Sequence, residues 1–260
     1  MSIFSSGTKY KHQSDLKGLA RTPENEALQH KVLSLIFDDY YLKRNVVLKG
    51  GAFLNVVYNS PRSSKNDLDF SVLSSVDSDK ITAGLERISK KLSRENPEIT
   101  HRAINGHHFS FRIDGTEVLS VQIQLNRPIL RKTEDVWIML PGISSFTITA
   151  ISINEQLAEK IDALNKRQDE GKKLNDIHDI YFLIKKGATF DVALIVAKLN
   201  LGQQSDPKKA IEEMLLNNLT ETELTRLWDS HTRTFLQLPK LGVISDAILD
   251  AWIKSSNAKK

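Results

Sequence analysis

The 260-residue chain contains no cysteine, which removes a disulfide framework, a thiolate-ligated zinc site and a thiol nucleophile together. Such a composition suits a reducing cytoplasm. Long apolar runs are missing as well. No stretch approaches the roughly 20 residues that span a bilayer, and the opening "MSIFSSGTKYKHQ" has no apolar segment of the signal-peptide kind. We therefore expect a soluble cytoplasmic protein with no membrane partner. Nor is charge of one sign in large excess. The net +4 is a mild basic bias that would help a nucleotide or nucleic acid approach but is equally common in proteins that bind neither. No fixed-period repeat or low-complexity block occurs, which argues against a solenoid or a long disordered tail.

What the chain does have is length enough for a good hydrophobic core and a clear order of elements. "TPENEALQHKVLSLIFDDYYLKR" offers Thr22 as N-cap, Pro23 in the first turn and Leu28, Val32, Leu35 and Ile36 at helical spacing, predicting a helix over 23–43. The β-branched "NVVLK" predicts a strand. Gly50-Gly51 then marks a strand-to-helix turn, and "AFLNVVYN" predicts a helix with Phe53, Val56 and Val57 facing inward. "DLDFSVL" reads as a strand and "SDKITAGLERISKKLSRE" as a helix. "EITHRAI", "HHFSFRID" and "VLSVQIQLN" read as strands joined by turns at Asn105-Gly106 and Asp114-Gly115. After "SFTITAIS" the remainder is helical in pattern, broken at Gly171, Gly187 and 202–207, so we expect a mixed α+β region over 1–150 and a helical region over 151–260.

Chemistry concentrates in "VVLKGGAFLNVVYNSPRSSKNDLDFSVL". A strand alternates its faces, so Asp67 and Asp69 project to one side while Leu68 and Phe70 project to the other. Two like charges this close raise one another's pKa or demand a cation, and an all-oxygen donor pair suits Mg²⁺, with Mn²⁺ as a substitute. Gly50 and Gly51 remove side chains where a helix begins, which lets backbone N–H groups approach a phosphate at the positive end of the helix dipole. Singly, Gly-Gly is an ordinary tight turn and Asp-x-Asp an ordinary solvated strand edge. In strand-turn-helix-strand order they are less easily dismissed.

This stretch resembles the nucleotidyltransferase core of the AbiEii/AbiGii toxin family, whose members carry a Gly-Gly-(Thr or Ser) turn and an Arg-x-Ser-x-Asp-Leu-Asp-Phe strand entry. Ala52 replaces the hydroxyl residue, and Arg62 lies five rather than four residues before Asp67. The family also leads one to expect a Glu-x-x-x-x-Lys-x-x-Ala-Leu-x-x-Arg helix followed by a second helix with paired aspartates. "INEQLAEKIDALNKRQDEGKKLNDIHDIYFLIKKG" supplies Lys160, Ala163, Leu164, Arg167, Asp176 and Asp179 at matching places. Lys160 and Arg167 are seven apart and hence on nearly one helical face, although such cations are also common on a merely solvated face.

The resemblance covers residues 24–186 and implies a polymerase-beta-like nucleotidyltransferase fold: a mixed sheet with flanking helices, plus a C-terminal helical domain that contributes its lysine and aspartate to the cleft between them. It implies Asp67, Asp69, Lys160 and Asp176 as catalytic residues, Asp67 and Asp69 doubling as metal ligands. Lys49, Gly50, Gly51, Arg62, Ser64 and Arg167 would be the nucleotide-binding set. The implied reaction moves a nucleoside monophosphate from an NTP to a hydroxyl acceptor, with the 3′ end of tRNA or another RNA as candidate, in the toxin of a type IV toxin-antitoxin or phage-defence system with a cognate antitoxin.

Polymerase-beta-like transferases generally place a third acid on a neighbouring strand. In "VLSVQIQLN" alternation sets Val121, Ile123 and Leu125 on one face and Ser120, Gln122 and Gln124 on the other, so glutamine holds the expected position. Either another group such as Asp176 serves as base, or the metal alone activates the acceptor, or activity is weakened. A catalytically silent nucleotide- or RNA-binding module and an antibiotic-modifying transferase are therefore alternatives. His101, His107 and His108 read as surface or hairpin residues, and Trp137, Trp228 and Trp252 as packing residues.

Overall fold

The computed structural model describes residues 23–60, 67–73, 76–127, 129–220, 222–231 and 238–257. The chain divides into two compact units, Met1–Ile151 and Ser152–Lys260. Thr22, Arg62 and Ser64 lie outside the described residues.

The first unit is built on a seven-stranded mixed sheet. Its strands are β1 (Val46–Lys49), β2 (Asp67–Val72), β3 (Ile99–Asn105), β4 (His108–Ile113), β5 (Thr116–Gln124), β6 (Glu134–Ile138) and β7 (Phe146–Ala150), in spatial order β3-β4-β5-β2-β1-β7-β6. β2 runs parallel to β5 and β1 parallel to β7, and the other neighbours are antiparallel. The β4–β5 hairpin turns at Asp114 and Gly115, both with positive φ (49° and 76°), as a two-residue turn between twisted strands requires. Helices α1 (Pro23–Asp38) and α4 (Ser78–Glu95) pack against each other, α1 also against β2, β5 and β7 and α4 against β3. The core between them is apolar: Leu28, Val32, Leu33 and Ile36 of α1, Leu68 and Phe70 of β2, Phe109 and Phe111 of β4, and Leu119, Val121 and Ile123 of β5 are all essentially inaccessible. The Phe37 and Phe70 rings meet at 6.2 Å between centroids.

Three local expectations need correction. The helix foreseen over 23–43 stops at Asp38, and a four-residue helix α2 (Leu42–Asn45) follows. The break is made by Asp39, whose Oδ1 accepts from the amides of Tyr41 and Leu42, each at 3.0 Å, and so starts a new turn. In α3 (Gly50–Tyr58) the buried residues are Ala52, Phe53 and Leu54, while Val56 and Val57 are half-buried. Strand β6 was not foreseen, and it carries Trp137 at the sheet edge, 64% exposed, so this tryptophan is not part of the core. Trp228 and Trp252 are buried as expected.

The second unit is helical: α5 (Ile153–Lys166), α6 (Glu170–Lys185), α7 (Val192–Lys198), α8 (Pro207–Leu219), α9 (Thr222–His231) and α10 (Leu241–Asn257). Four of these start on an oxygen cap in which Ser152, Asp169, Asp191 and Asp206 accept from the amide three residues on. Each such cap is worth about 1 kcal/mol. Gly171 does not break the chain but falls in the first turn of α6, directly after that cap, whereas Gly187 with φ 96° does end the helix. Lys198 of α7 reaches Glu155 and Glu159 of α5, each at 2.7 Å, with Glu155 fully buried and Lys198 nearly so. No described helix is long and apolar enough to cross a membrane.

Candidate active site

Strand β2 displays the two aspartates as its alternation dictates. Leu68, Phe70 and Val72 are buried on the core side, while Asp67 is exposed and Asp69 half-exposed on the other. Register then fixes their neighbours. Asp69 lies opposite Lys49 of β1 on one side and opposite Gln122 of β5 on the other, and Asp67 lies opposite Ser120. Continuing outward, β4 sets His108 opposite Gln122 and Ser110 opposite Ser120. One polar row therefore runs His108, Gln122, Asp69, Lys49 across four strands, with a second row of Ser110, Ser120 and Asp67 beside it. Lys49, 5% exposed, donates from Nζ to Gln124 Oε1 at 2.8 Å, which fixes the ammonium beside the acids.

The start of α3 closes this group from above. Gly50 has φ 75°, and a Cβ added there would lie 2.7 Å from Asp69 Oδ2 and 3.1 Å from Asp69 Cβ. The glycine is thus required twice, by a left-handed backbone and by the carboxylate against it. Lys49, just before it, is extended (φ −146°) and has no side-chain hydrogen bond capping the helix. The first-turn amides of α3 are consequently delivered next to Asp69. An anion there would meet N–H donors and the positive end of the helix dipole.

The remaining expected residues assemble within the helical unit. Lys160 of α5 lies between two aspartates of α6, with Nζ 3.0 Å from Asp176 Oδ1 and 2.7 Å from Asp179 Oδ2. Arg167, which caps the C-terminus of α5 rather than lying within it, donates from Nε to Asp176 Oδ2 at 3.1 Å. Asp176 is 2% exposed and Asp179 fully buried. Asp176 is therefore mid-helix and gripped by two cations. Buried charges are tolerated when paired and hydrogen-bonded in this way, so Lys160 is a positioned ammonium, while Arg167, its side chain 42% exposed, stays partly in solvent.

The histidines sort apart. His101 stacks on Phe109, with ring centroids 6.3 Å apart, on the apolar side. His108 faces the acids' side, its Nε2 2.8 Å from Ser120 Oγ. Neither the His108–Ser120 pair nor the placement of Glu117, whose Oε2 accepts from Ser110 Oγ, was foreseen. A shift of register between Phe111 and Arg112 sets Glu117 opposite Arg112 and thereby turns it onto this face. A bulge cannot be read from alternation alone.

A family model described as "Nucleotidyl transferase AbiEii toxin, Type IV TA system" matches residues 31–252, which takes in both units. The chain belongs to the AbiEii nucleotidyltransferase toxin family. Among solved structures, this AbiEii protein is similar to MenT4, a nucleotidyltransferase toxin of Mycobacterium tuberculosis H37Rv, at a TM-score of 0.55 and 15% identity over 91% of this chain and 85% of that one. An antigenic nucleotidyltransferase-like protein of Paracoccidioides brasiliensis aligns at a TM-score of 0.43 and 20% identity, over 71% of this chain and 91% of the other. No curated protein matches. At these identities the MenT4 likeness establishes the fold: the AbiEii chain has the mixed sheet and flanking helices of nucleotidyltransferase-fold toxins.

An AbiEii transferase of this fold implies a divalent metal. Among the described residues no group of three or more His, Cys, Asp or Glu side chains gathers in a way that could hold one. The two carboxylates on β2 nevertheless fit Mg²⁺, which keeps several waters and is typically held by one or two carboxylates plus substrate phosphates. Softer metals would call for nitrogen or sulfur donors.

Proposed function

We propose that this protein transfers a nucleoside monophosphate from an NTP to a hydroxyl on an RNA acceptor, with the 3′ end of tRNA the first candidate, and that this reaction is its toxicity. The observation carrying the reading is the contact between Gly50 and Asp69: an anion-binding helix start and a metal-type carboxylate pair meet at one point where no other residue type fits.

Asp67 and Asp69 would hold Mg²⁺, or Mn²⁺ in its place, which when bound would neutralise triphosphate charge and acidify the acceptor hydroxyl. The chain's own groups do the rest. The amides of Gly50 and Gly51 bind and orient phosphate oxygens, and Lys49, steadied by Gln124, holds a fixed positive charge beside the acids. Lys160 and Arg167 are proposed as catalytic and nucleotide-binding residues on the strength of the family resemblance alone. Asp176 pairs with both Lys160 and Arg167, and Asp179 with Lys160; Asp176 is proposed on the same resemblance to orient the acceptor. Arg62 and Ser64 are proposed as further nucleotide contacts on the strength of the family resemblance alone. Catalysis of this kind is mostly positioning and electrostatic stabilisation. In the cell the activity would be restrained by a cognate antitoxin and would serve phage defence.

The test is direct. The purified chain is incubated with each α-labelled NTP, Mg²⁺ and total tRNA, alongside Asp69→Ala. Label transferred to RNA 3′ ends by the native chain and not by the variant supports the reading. Nucleotide binding without transfer to any acceptor would instead favour a silent binding module, for which Gln122 and Gln124, glutamines where an acid is expected, are the best argument.

A further inference from the structure

The row that holds Asp69 also holds the answer to its missing partner. Gln122 lies opposite Asp69, and the β5 residues beside the acids on that face, Ser120, Gln122 and Gln124, include no carboxylate to take the acceptor's proton; a primary amide is not basic enough to accept one near neutral pH. One strand further out, His108 is in register with Gln122, yet its Nε2 reaches diagonally to Ser120 Oγ at 2.8 Å. Ser120 is itself the lateral neighbour of Asp67, with adjacent strands about 4.8 Å apart. We propose that Ser120 and His108 form the relay that removes the acceptor's proton, in place of the absent acid. The inference rests on the transferase reading above.

The proton balance is complete. The acceptor O–H gives its proton to Ser120 Oγ as Ser120 gives its own to His108 Nε2. The acceptor oxygen bonds to the α-phosphorus, the bond from that phosphorus to its bridging oxygen breaks, and pyrophosphate leaves. His108 ends as an imidazolium and returns its proton to solvent. Ser120 touches the acceptor, and His108 acts through Ser120.

The turn that presents His108 is anchored on three sides. Thr82 Oγ1 of α4 donates to Gly106 O at 2.6 Å, the Ile123 amide donates to His107 O at 2.9 Å, and the His107 amide donates to Asn105 Oδ1 at 3.0 Å. A Cβ at Gly106 would lie 2.9 Å from Thr82 Oγ1, so this turn too is fitted to its support. The charged and titratable groups facing His108 are Arg112 on its own strand, His107 in the turn, Arg102 opposite Ser110 on β3, Glu117 on β5 and the aspartates of β2. The relay uses the imidazole in its neutral form, whose Nε2 lone pair takes the proton.

The experiment uses the full chain. His108→Gln keeps a hydrogen-bonding side chain but no base near neutrality. We expect about a 10²-fold or greater loss of kcat, the lower end of what general-base catalysis supplies, with KM for the NTP unchanged and the acidic limb of the pH–rate profile gone. Ser120→Ala should do the same. On the native protein without substrate, ¹⁵N NMR of labelled histidine should show neutral His108 protonated on Nδ1, with Nε2 accepting from Ser120. That reading requires neither a variant nor turnover. Variants with native kcat, a slowed variant that retains the limb, or an Nε2-protonated tautomer would each overturn the relay. If the native chain transfers nothing to any acceptor, the transferase reading fails and takes the relay with it. Full transfer by His108→Gln sinks the relay alone.

Discussion

Gly50→Ala separates the two reasons for which glycine occupies that position. At φ 75° an alanine pays the left-handed backbone penalty of about 1–2 kcal/mol. Gly115, in the β4–β5 hairpin at φ 76°, carries the same penalty, but an added Cβ there meets nothing within 4 Å. Gly115→Ala is therefore the control for strain alone. Both variants should lose about half a molar or so in urea midpoint, given slopes of roughly 2–3 kcal/mol per molar. Only Gly50→Ala also places a carbon 2.7 Å from Asp69 Oδ2, which must retreat by at least 0.7 Å to reach ordinary contact at 3.4 Å. Misplacement of a reacting or metal-holding group by about 1 Å costs on the order of 10²-fold in rate. The assay is paired urea melts and transfer of α-labelled NMP to RNA for both variants. We expect similar melts, with transfer preserved in Gly115→Ala and lost about 10²-fold in Gly50→Ala. Equal transfer in the two would refute the claim that the glycine serves the carboxylate.

Further outcomes follow from the other clusters. Lys198→Met leaves buried Glu155 and nearly buried Glu159 without their cation and should destabilise the helical unit by about 3–5 kcal/mol, read as an early transition in urea. Phe70→Ala should cost about 3–5 kcal/mol by opening a cavity under α1, whereas Asp69→Ala on the opposite face should abolish transfer with an unfolding midpoint close to native. Lys160→Met takes the ammonium from Asp176 and Asp179, leaving Asp176 with Arg167, and should lower both stability and transfer. The triple variant that adds Asp176→Asn and Asp179→Asn to Lys160→Met should recover stability, measured by melting, but not transfer. Asp77 caps α4, and its carboxyl is held below the usual range, first by the Lys80 amide. The cap's full strength is therefore present above the ordinary carboxylate pKa and is lost as pH falls through the lowered value. Hydrogen exchange in the first turn of α4 should accelerate there and not in Asp77→Asn.

The central strand-turn-helix-strand was legible because each part has a local cause. β-branched residues make β1, Gly50 makes the turn, and strict alternation in "DLDFSV" puts both acids on one side. α4 was legible to the residue, its apolar spacing being bounded by Asp77. The misses were equally physical. An apolar period continues through "DDYYLKR", but Asp39 bonds the backbone and ends the helix against that period. β6 lies at an edge and exposes its tryptophan, so it lacks the alternation that marks a half-buried strand. Within the site, the acids' sidedness could be read, but which residues stand beside them could not. The partnership of His108 with Ser120 depends on the register of two further strands, and that register is set by turns and a bulge whose offset leaves no periodic trace.

The acid-bearing strand lies in the interior of its sheet, bonded to β5 on one flank and β1 on the other, with α1 beneath it. Amides so placed exchange only in the deepest openings of a fold, so the site cannot be melted locally while the rest of the unit stands. Any ligand that blocked the carboxylates would therefore have to do so by occupying the space beside them, because loosening the strand that carries them would mean dismantling the whole sheet.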